Sequence, residues 1–353
     1  MYRKIMGFLE AWKENEHRKP LILQGARQVG KTYSILEFGR IHYENVAYFN
    51  FETNPKLNET FEEKISPDYL IPILSHIAGQ TIVKEKTLIV FDEVQLCERA
   101  LTSLKYFCED APDYHIIVAG SLLGVAVNRA KFSFPVGKVD MKTLYPMDME
   151  EFMIAVGEDE LVEQIKKCFE TNRPMPSALH DAAMQLYRQY LVVGGMPECV
   201  MQFVQTGDYI LIRHTQDTIL TSYLNDMSKY NNLNAIKKTR LAYDNITVQL
   251  SKKNTRFQYN LIKKGGRASE FENAIEWLCL SGIASQVYRV EQIKKPLENY
   301  RDIDAFKIYV SDLGLLCAKK DLAANDILYM VEELNDFKGG MTENYVNVQL
   351  AIN

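Results

Sequence analysis

The run Leu21-Ile22-Leu23-Gln24-Gly25-Ala26-Arg27-Gln28-Val29-Gly30-Lys31-Thr32 passes from an apolar segment into the spacing G-x-x-x-x-G-K-[ST]. Leu21 to Leu23 read as a short buried strand. Tyr33, Ile35, Leu36 and Phe38 continue it as a helix. A loop set between strand and helix can wrap a triphosphate with backbone N–H groups, at the helix end whose dipole favours negative charge. Gly25 and Gly30 remove side chains that would obstruct that approach. The phosphate-binding residues are therefore Gly25, Ala26, Arg27, Gln28, Val29, Gly30, Lys31 and Thr32. Lys31 is expected to reach the β- and γ-phosphates, and the Thr32 hydroxyl to hold Mg²⁺.

Three further apolar runs share the character of Leu21–Leu23: Val46 to Phe51, Thr87 to Phe91, and His115 to Gly120. Helical patterns separate them, at residues 33–38, Asp68 to Ala78 and Glu98 to Asp110, and another lies over residues 2–14. Strands apolar on both faces and alternating with helices predict a mostly parallel α/β sheet. Such sheets hold ligands at the carboxyl ends of their strands. Gly25, Asp92 and Ser121 all fall at such ends. Asp92 is the second Mg²⁺ candidate, and Glu93 is the carboxylate that would orient the attacking water. Ser121 is placed to sense the γ-phosphate or that water; a helix cap ahead of Leu122 is the alternative, and the two are compatible. The catalytic candidates are Lys31, Glu93 and Ser121.

Composition narrows the alternatives. The chain has 353 residues, 47% of them hydrophobic and 25% charged, which is the balance of a globular protein with more than one domain. Its longest apolar stretch, Ile116 to Val127, is broken by Gly120, Ser121 and Gly124 and is too short to span a bilayer. Residues Met1-Tyr2-Arg3-Lys4 lead into no apolar segment of a signal peptide. The six cysteines form no C-x-x-C pair and read as reduced thiols of a cytoplasmic protein. Six scattered histidines make no metal cluster, so metal other than Mg²⁺ is not expected.

The second half reads differently. From Asp148 to about Tyr230 the pattern is helical, with breaks at Asn172–Pro176 and Gly194–Pro197. Residues 236–270 then hold nine Lys or Arg against two acids, although the chain's net charge is −5. Such a cluster, within 236–267, is a candidate DNA surface through counterion release. Glu270, Glu272 and Glu276 lie on the helix expected at Ala268–Leu280, whose core face is Phe271, Ala274, Ile275 and Leu278. Acids there repel phosphate, so a solvated basic surface or a protein interface stands beside the DNA reading. Three short helical patterns followed by Phe306–Val310 suggest a winged-helix module. Tyr187, Tyr190, Tyr223 and Tyr230 fall at helical spacing and are read as packing residues. A last helix is expected from near Thr342, running to the end of the sequence without a cap.

Gly25-Ala26-Arg27-Gln28-Val29-Gly30-Lys31-Thr32, Phe91-Asp92-Glu93-Val94-Gln95 and Ala119-Gly120-Ser121 together resemble a prokaryotic group of AAA-type ATPases, where these motifs recur in this order. Pro135-Val136-Gly137-Lys138-Val139, Leu144-Tyr145-Pro146-Met147 and Glu150-Glu151-Phe152 are similar to the segment that closes that group's ATPase domain. Tyr190-Leu191, Gly194-Gly195-Met196-Pro197-Glu198 and Lys307-Ile308-Tyr309-Val310, with Asp312 and Gly314-Leu315, resemble two later elements. The resemblance implies an ATP-binding core followed by a domain of unknown function with winged-helix-like and restriction-endonuclease-like parts. Lys138 stands where the group usually has Arg; it keeps the charge and loses the bidentate fork. Gly339 to Val346 resemble the opening helix of the nuclease-like part. The later acidic and lysine positions of that part are not in this sequence, so no cleavage is expected from these residues.

The expected fold class is an α/β P-loop NTPase core, a parallel sheet with flanking helices, followed by an all-helical region and a winged-helix-like module. The expected divisions are 1–155, the AAA-type ATPase core; 156–235, helical; 236–325, winged-helix-like; and 326–353, the start of a truncated nuclease-like domain. The expected chemistry is Mg²⁺-dependent ATP binding and hydrolysis, coupled to DNA or a protein partner. The alternatives are a nucleotide-gated switch with negligible turnover and a DNA-targeting component of a defence or mobile-element system. A homo-oligomer in which an Arg completes a neighbour's site is a further expectation from the resemblance, with Arg129, Arg188 and Arg213 as unranked candidates. No membrane partner is expected.

Overall fold

The four apolar runs pair, together with a short fifth strand, as a five-stranded parallel sheet. In the computed structural model, which describes residues 1–120, 134–229, 232–252 and 256–353, the strands are β1 (Leu21–Gln24), β2 (Asn45–Asn50), β3 (Thr87–Asp92), β4 (His115–Gly120) and β5 (Asp140–Thr143). Their order is β2-β3-β4-β1-β5, and every neighbouring pair is parallel. Every residue of β3 and β4 is buried, which explains their unbroken apolar sequence. β5, with sequence Asp-Met-Lys-Thr, is an edge strand with two exposed positions and carries no comparable apolar signal.

Helices α1 (Ile5–Glu14), α2 (Lys31–His42), α3 (Lys56–Glu63), α4 (Pro67–Ala78) and α5 (Glu98–Asp110) accompany the sheet. α3 has only two buried residues, Leu57 and Phe61, and so gives a thin periodic signal. Both help to build the core beneath β3. The Phe91 ring lies 5.9 Å from Phe49, 5.8 Å from Phe51 and 5.6 Å from Phe61, centroid to centroid. This aromatic cluster anchors the strand that ends in Asp92.

The chain divides into two units, Arg3–Leu144 and Tyr145–Asn353 with Met1–Tyr2. The second opens as five helices, Met149–Ala155, Asp159–Glu170, Ser177–Val193, Pro197–Thr206 and Tyr209–Lys229. Asp148 starts the first of these with a reciprocal capping box to Glu151. Helices Leu233–Leu250, Tyr259–Ile262 and Ala268–Leu280 follow, then an antiparallel pair, β6 (Ala284–Val290) and β7 (Arg301–Val310). The sequence pattern shows β7 and misses β6, most of whose positions are only partly buried or exposed. Phe271, Ala274, Ile275 and Leu278 form the buried face of the third helix, and Trp277 joins them.

The final helix runs from Asn335 to Ile352 and starts well before the expected Thr342. Gly339-Gly340 reads as a helix break but lies inside the helix. A Cβ on Gly340 would stand 2.2 Å from the Leu250 carbonyl oxygen, so close helix packing accounts for that glycine. The fully buried Asn344 side chain accepts from Val310 N at 2.8 Å and donates to Val310 O at 2.9 Å. This helix thereby extends the hydrogen bonding of β7.

Two further motif segments meet within this unit. Asp312 caps the helix Leu313–Lys319, its Oδ1 accepting from Leu315 N at 2.8 Å. Its Oδ2 accepts from Gly195 N at 2.6 Å. The Gly194-Gly195 and Asp312-x-Gly314 elements are thus two halves of one buried clasp. Tyr190 and Tyr223 are packed inside, as expected, while Tyr230 lies outside the described residues.

Candidate phosphate-binding site

β1 delivers the chain into the glycine loop, and α2 takes it out. Gly25 has φ +147°, a conformation that side chains resist, and a Cβ there would stand 2.1 Å from the Leu144 carbonyl oxygen. Gly30, at φ 90°, precedes the first turn of α2. The loop backbone is tied down from the N-terminus as well. The buried Arg3 donates from Nη1 to Val29 O at 2.9 Å, a contact with no sequence signal.

Lys31 is folded back over the loop. Its Nζ donates to Gly25 O at 2.9 Å and to Ala26 O at 2.7 Å. Burial pulls its pKa down to about 8, against the opposing pull of the Glu93 and Asp92 carboxylates. A buried ammonium with both carboxylates in its field is poised to gain from a polyanion.

β3 brings the carboxylates to the same end of the sheet. Thr32 Oγ1 donates to Asp92 Oδ2 at 2.8 Å. Asp92 is buried, and its Oδ1 accepts from Glu93 N at 2.9 Å. Glu93 takes a left-handed backbone, φ 51°, uncommon for a non-glycine residue. Gln95 Nε2 donates to its carboxylate. The oxygens of Thr32 and Asp92 are hard donors of the kind Mg²⁺ takes, and the pair fits such an ion.

Lys31, Thr32, Asp92 and Glu93 are therefore brought together with the loop. Ser121 lies outside the described residues, as does Arg129. Lys138 is placed elsewhere: it precedes β5, at the amino end of the sheet, and pairs with Glu109 at 2.9 Å. Arg213 Nη1 donates to Ala318 O at 3.4 Å and lies 3.8 Å from the Asp321 carboxylate, so it is engaged with a helix terminus. Arg188 is half-buried on the helix Ser177–Val193. Among the described residues no group of three or more His, Cys, Asp or Glu could hold a metal ion.

Sequence reasoning passed over Tyr48, Asn50 and Gln95. Tyr48 Oη donates to Asp92 Oδ2 at 2.8 Å, and Asn50 Nδ2 donates to Tyr48 Oη at 3.1 Å. The signal for the first two is the β2–β3 register, which sets Asn50 beside Asp92 and appears only once the strands pair. Gln95 was present in the quoted motif without a role.

Residues 17–153 match the family model of an AAA domain, and residues 184–326 match a domain of unknown function, DUF8612. No curated protein matches the chain. Among solved structures, the chain is similar to ORC2 of Aeropyrum pernix, determined in ADPNP–ADP complexes. The two share 11% identity over 99% of this chain and 96% of that one, with a TM-score of 0.43. It is also similar to the RuvB Holliday junction branch migration motor of Thermotoga maritima, at 14% identity over 80% and 87% of the two chains and a TM-score of 0.34. No helix among the described residues is long and apolar enough to cross a membrane.

Proposed function

We propose that the chain binds ATP with Mg²⁺ and hydrolyses it. The observation that carries this reading is the 2.8 Å hydrogen bond between Thr32 and Asp92, directly beside the Lys31-bearing loop. In this reading the backbone N–H groups of Gly25 to Thr32 cradle the phosphates. Lys31 exchanges its carbonyl partners for phosphate oxygens, and Thr32 and Asp92 hold the ion. Bound Mg²⁺ supplies charge neutralisation on the phosphates. Glu93 accepts a hydrogen bond from the attacking water and orients it. Ser121 is the candidate γ-phosphate sensor. The AAA-domain match over residues 17–153 supports the reading. Phosphate release by wild type, with Lys31→Ala and Glu93→Gln as blanks, tests it.

The Gln95–Glu93 hydrogen bond favours a second reading, a nucleotide-gated switch whose water-positioning carboxylate is kept occupied. The switch predicts low and equal rates for wild type and Glu93→Gln.

The second half is proposed to couple the ATPase to a partner. We read 1–155 as the ATPase core, 156–235 as helical, 236–325 as winged-helix-like and 326–353 as the start of a nuclease-like part. The order of helices Leu233–Leu250, Tyr259–Ile262 and Ala268–Leu280 followed by β6 and β7 supports the winged-helix assignment. Lys237, Arg240, Lys252, Arg256, Lys263, Lys264 and Arg267 are exposed and suit a polyanion such as DNA. Lys253, of the same stretch, lies outside the described residues. Glu272 and Glu276 are exposed on the third helix, so that helix's outer face does not suit phosphate. Gel shifts across a salt series test DNA binding, and absence of binding at low ionic strength leaves a protein partner. A cytoplasmic location and a homo-oligomeric state belong to the same proposal.

A further inference from the structure

Asp92 Oδ2 accepts two hydroxyls at once, from Thr32 and from Tyr48, each at 2.8 Å. Only the first belongs to the phosphate-loop motif. The second begins a chain of hydrogen bonds leading away from the site. Tyr48 Oη accepts from Asn50 Nδ2 at 3.1 Å. Asn50 Oδ1 in turn accepts from Glu52 N at 2.8 Å and Thr53 N at 2.9 Å, so the turn after β2 holds the amide in place.

We propose that Tyr48 is a positioning residue that sets the Asp92 carboxylate for the divalent cation, with Asn50 orienting the Tyr48 hydroxyl. This rests on the reading of Asp92 as an ion-holding group. A carboxylate rotates easily about its last torsion. The backbone N–H of Glu93 holds one oxygen, and among the described residues the other is held, besides Tyr48, by Thr32. Thr32 is itself a candidate ligand of the ion, so among the described residues the Tyr48 hydroxyl is the partner that remains to Asp92 Oδ2 when the threonine turns toward metal. Tyr48 is 38% exposed and meets the site through its hydroxyl. Groups that orient a ligand in this way typically change metal affinity by about 10- to 100-fold when removed.

The test is ADP affinity of the full chain, measured in EDTA and across a Mg²⁺ titration, for wild type and Tyr48→Phe. The expected result is an EDTA affinity within about twofold of wild type and a Mg²⁺ midpoint raised by about tenfold or more. A merely structural role moves both arms together. An unchanged Mg²⁺ midpoint in Tyr48→Phe overturns the proposal while leaving the nucleotide site standing. If Tyr48→Phe fails to fold, Asn50→Ala, which leaves the phenol in place, carries the same test. A smaller shift of the same sign supports the proposal, and an unchanged midpoint overturns it. Wild type that binds ADP in neither arm overturns the nucleotide reading, and the role of Tyr48 falls with it.

Discussion

The Thr32 hydroxyl donates to Asp92 Oδ2 at 2.8 Å, joining the first turn of α2 to the last residue of β3 across 60 positions of sequence. In the proposed reading these two hard oxygens face the divalent cation, whose remaining ligands are water and phosphate. Thr32→Ala removes one of them and leaves Asp92 with its Tyr48 and Glu93 partners, so the fold should persist. The expected outcome is a loss of Mg²⁺-dependent turnover of about 100-fold, near the upper bound for disturbing a metal's surroundings. Phosphate release across a Mg²⁺ titration checks it, and undiminished turnover contradicts the assignment.

Glu93→Gln separates binding from turnover. The amide preserves shape and removes the proton acceptor, so ATP affinity should stay within a few-fold while hydrolysis falls by about 100-fold or more. Single-turnover kinetics with saturating enzyme provide the measurement. Equal rates in the two chains indicate the switch.

Gly25→Ala meets both a φ of +147° and a carbonyl oxygen 2.1 Å from the new Cβ. Strain of this kind typically costs about 1–3 kcal/mol for the backbone alone, and the overlap adds to it. The variant should melt several degrees below wild type, and an unchanged Tm contradicts the described loop geometry.

Much of the sheet was legible before any coordinates, because β3 and β4 are buried on both faces and cannot avoid an unbroken apolar run. The loop was legible too, since Gly25, Gly30, Lys31 and Thr32 are chosen by what they touch rather than by where the chain goes next. β5 was not, because an edge strand of four residues needs little apolar surface. The final helix starts earlier than expected, at Asn335, and Gly340 within it serves a close contact with Leu250 that local sequence does not carry. Tyr48 and Asn50 escaped because their role depends on register between β2 and β3, which local sequence does not carry. Lys138, which stands where the resembled group usually has Arg, pairs with Glu109 at the opposite end of the sheet from the loop.

Asp312 offers a pH signature for the second unit. Burial raises its pKa from 3.8 to about 6, although hydrogen bonds from Leu315, Gly195 and Gly314 pull the other way. Between about pH 4 and 6 the folded chain therefore binds more protons here than the unfolded chain, and stability contributed at this site falls as pH rises. Above about pH 6 the contribution is flat. The full span is on the order of 3 kcal/mol. Asp312→Asn has no titrating group and serves as the reference. Urea midpoints taken from pH 4 to 7 should show wild type losing ground to the variant up to pH 6. A pH-independent difference contradicts the burial argument.

The measurement that bears most directly on the whole account is ATP affinity of wild type and Lys31→Ala in the presence of Mg²⁺. Lys31 is buried with its pKa drawn down to about 8, and it also donates to Gly25 O and Ala26 O, so the melting temperature of the variant is measured alongside. The account predicts saturable ATP binding by wild type and its loss, by about 100-fold or more, in a variant that folds as well. Wild type that fails to bind ATP, or Lys31→Ala that binds it equally, would contradict the assignment of a phosphate-binding loop.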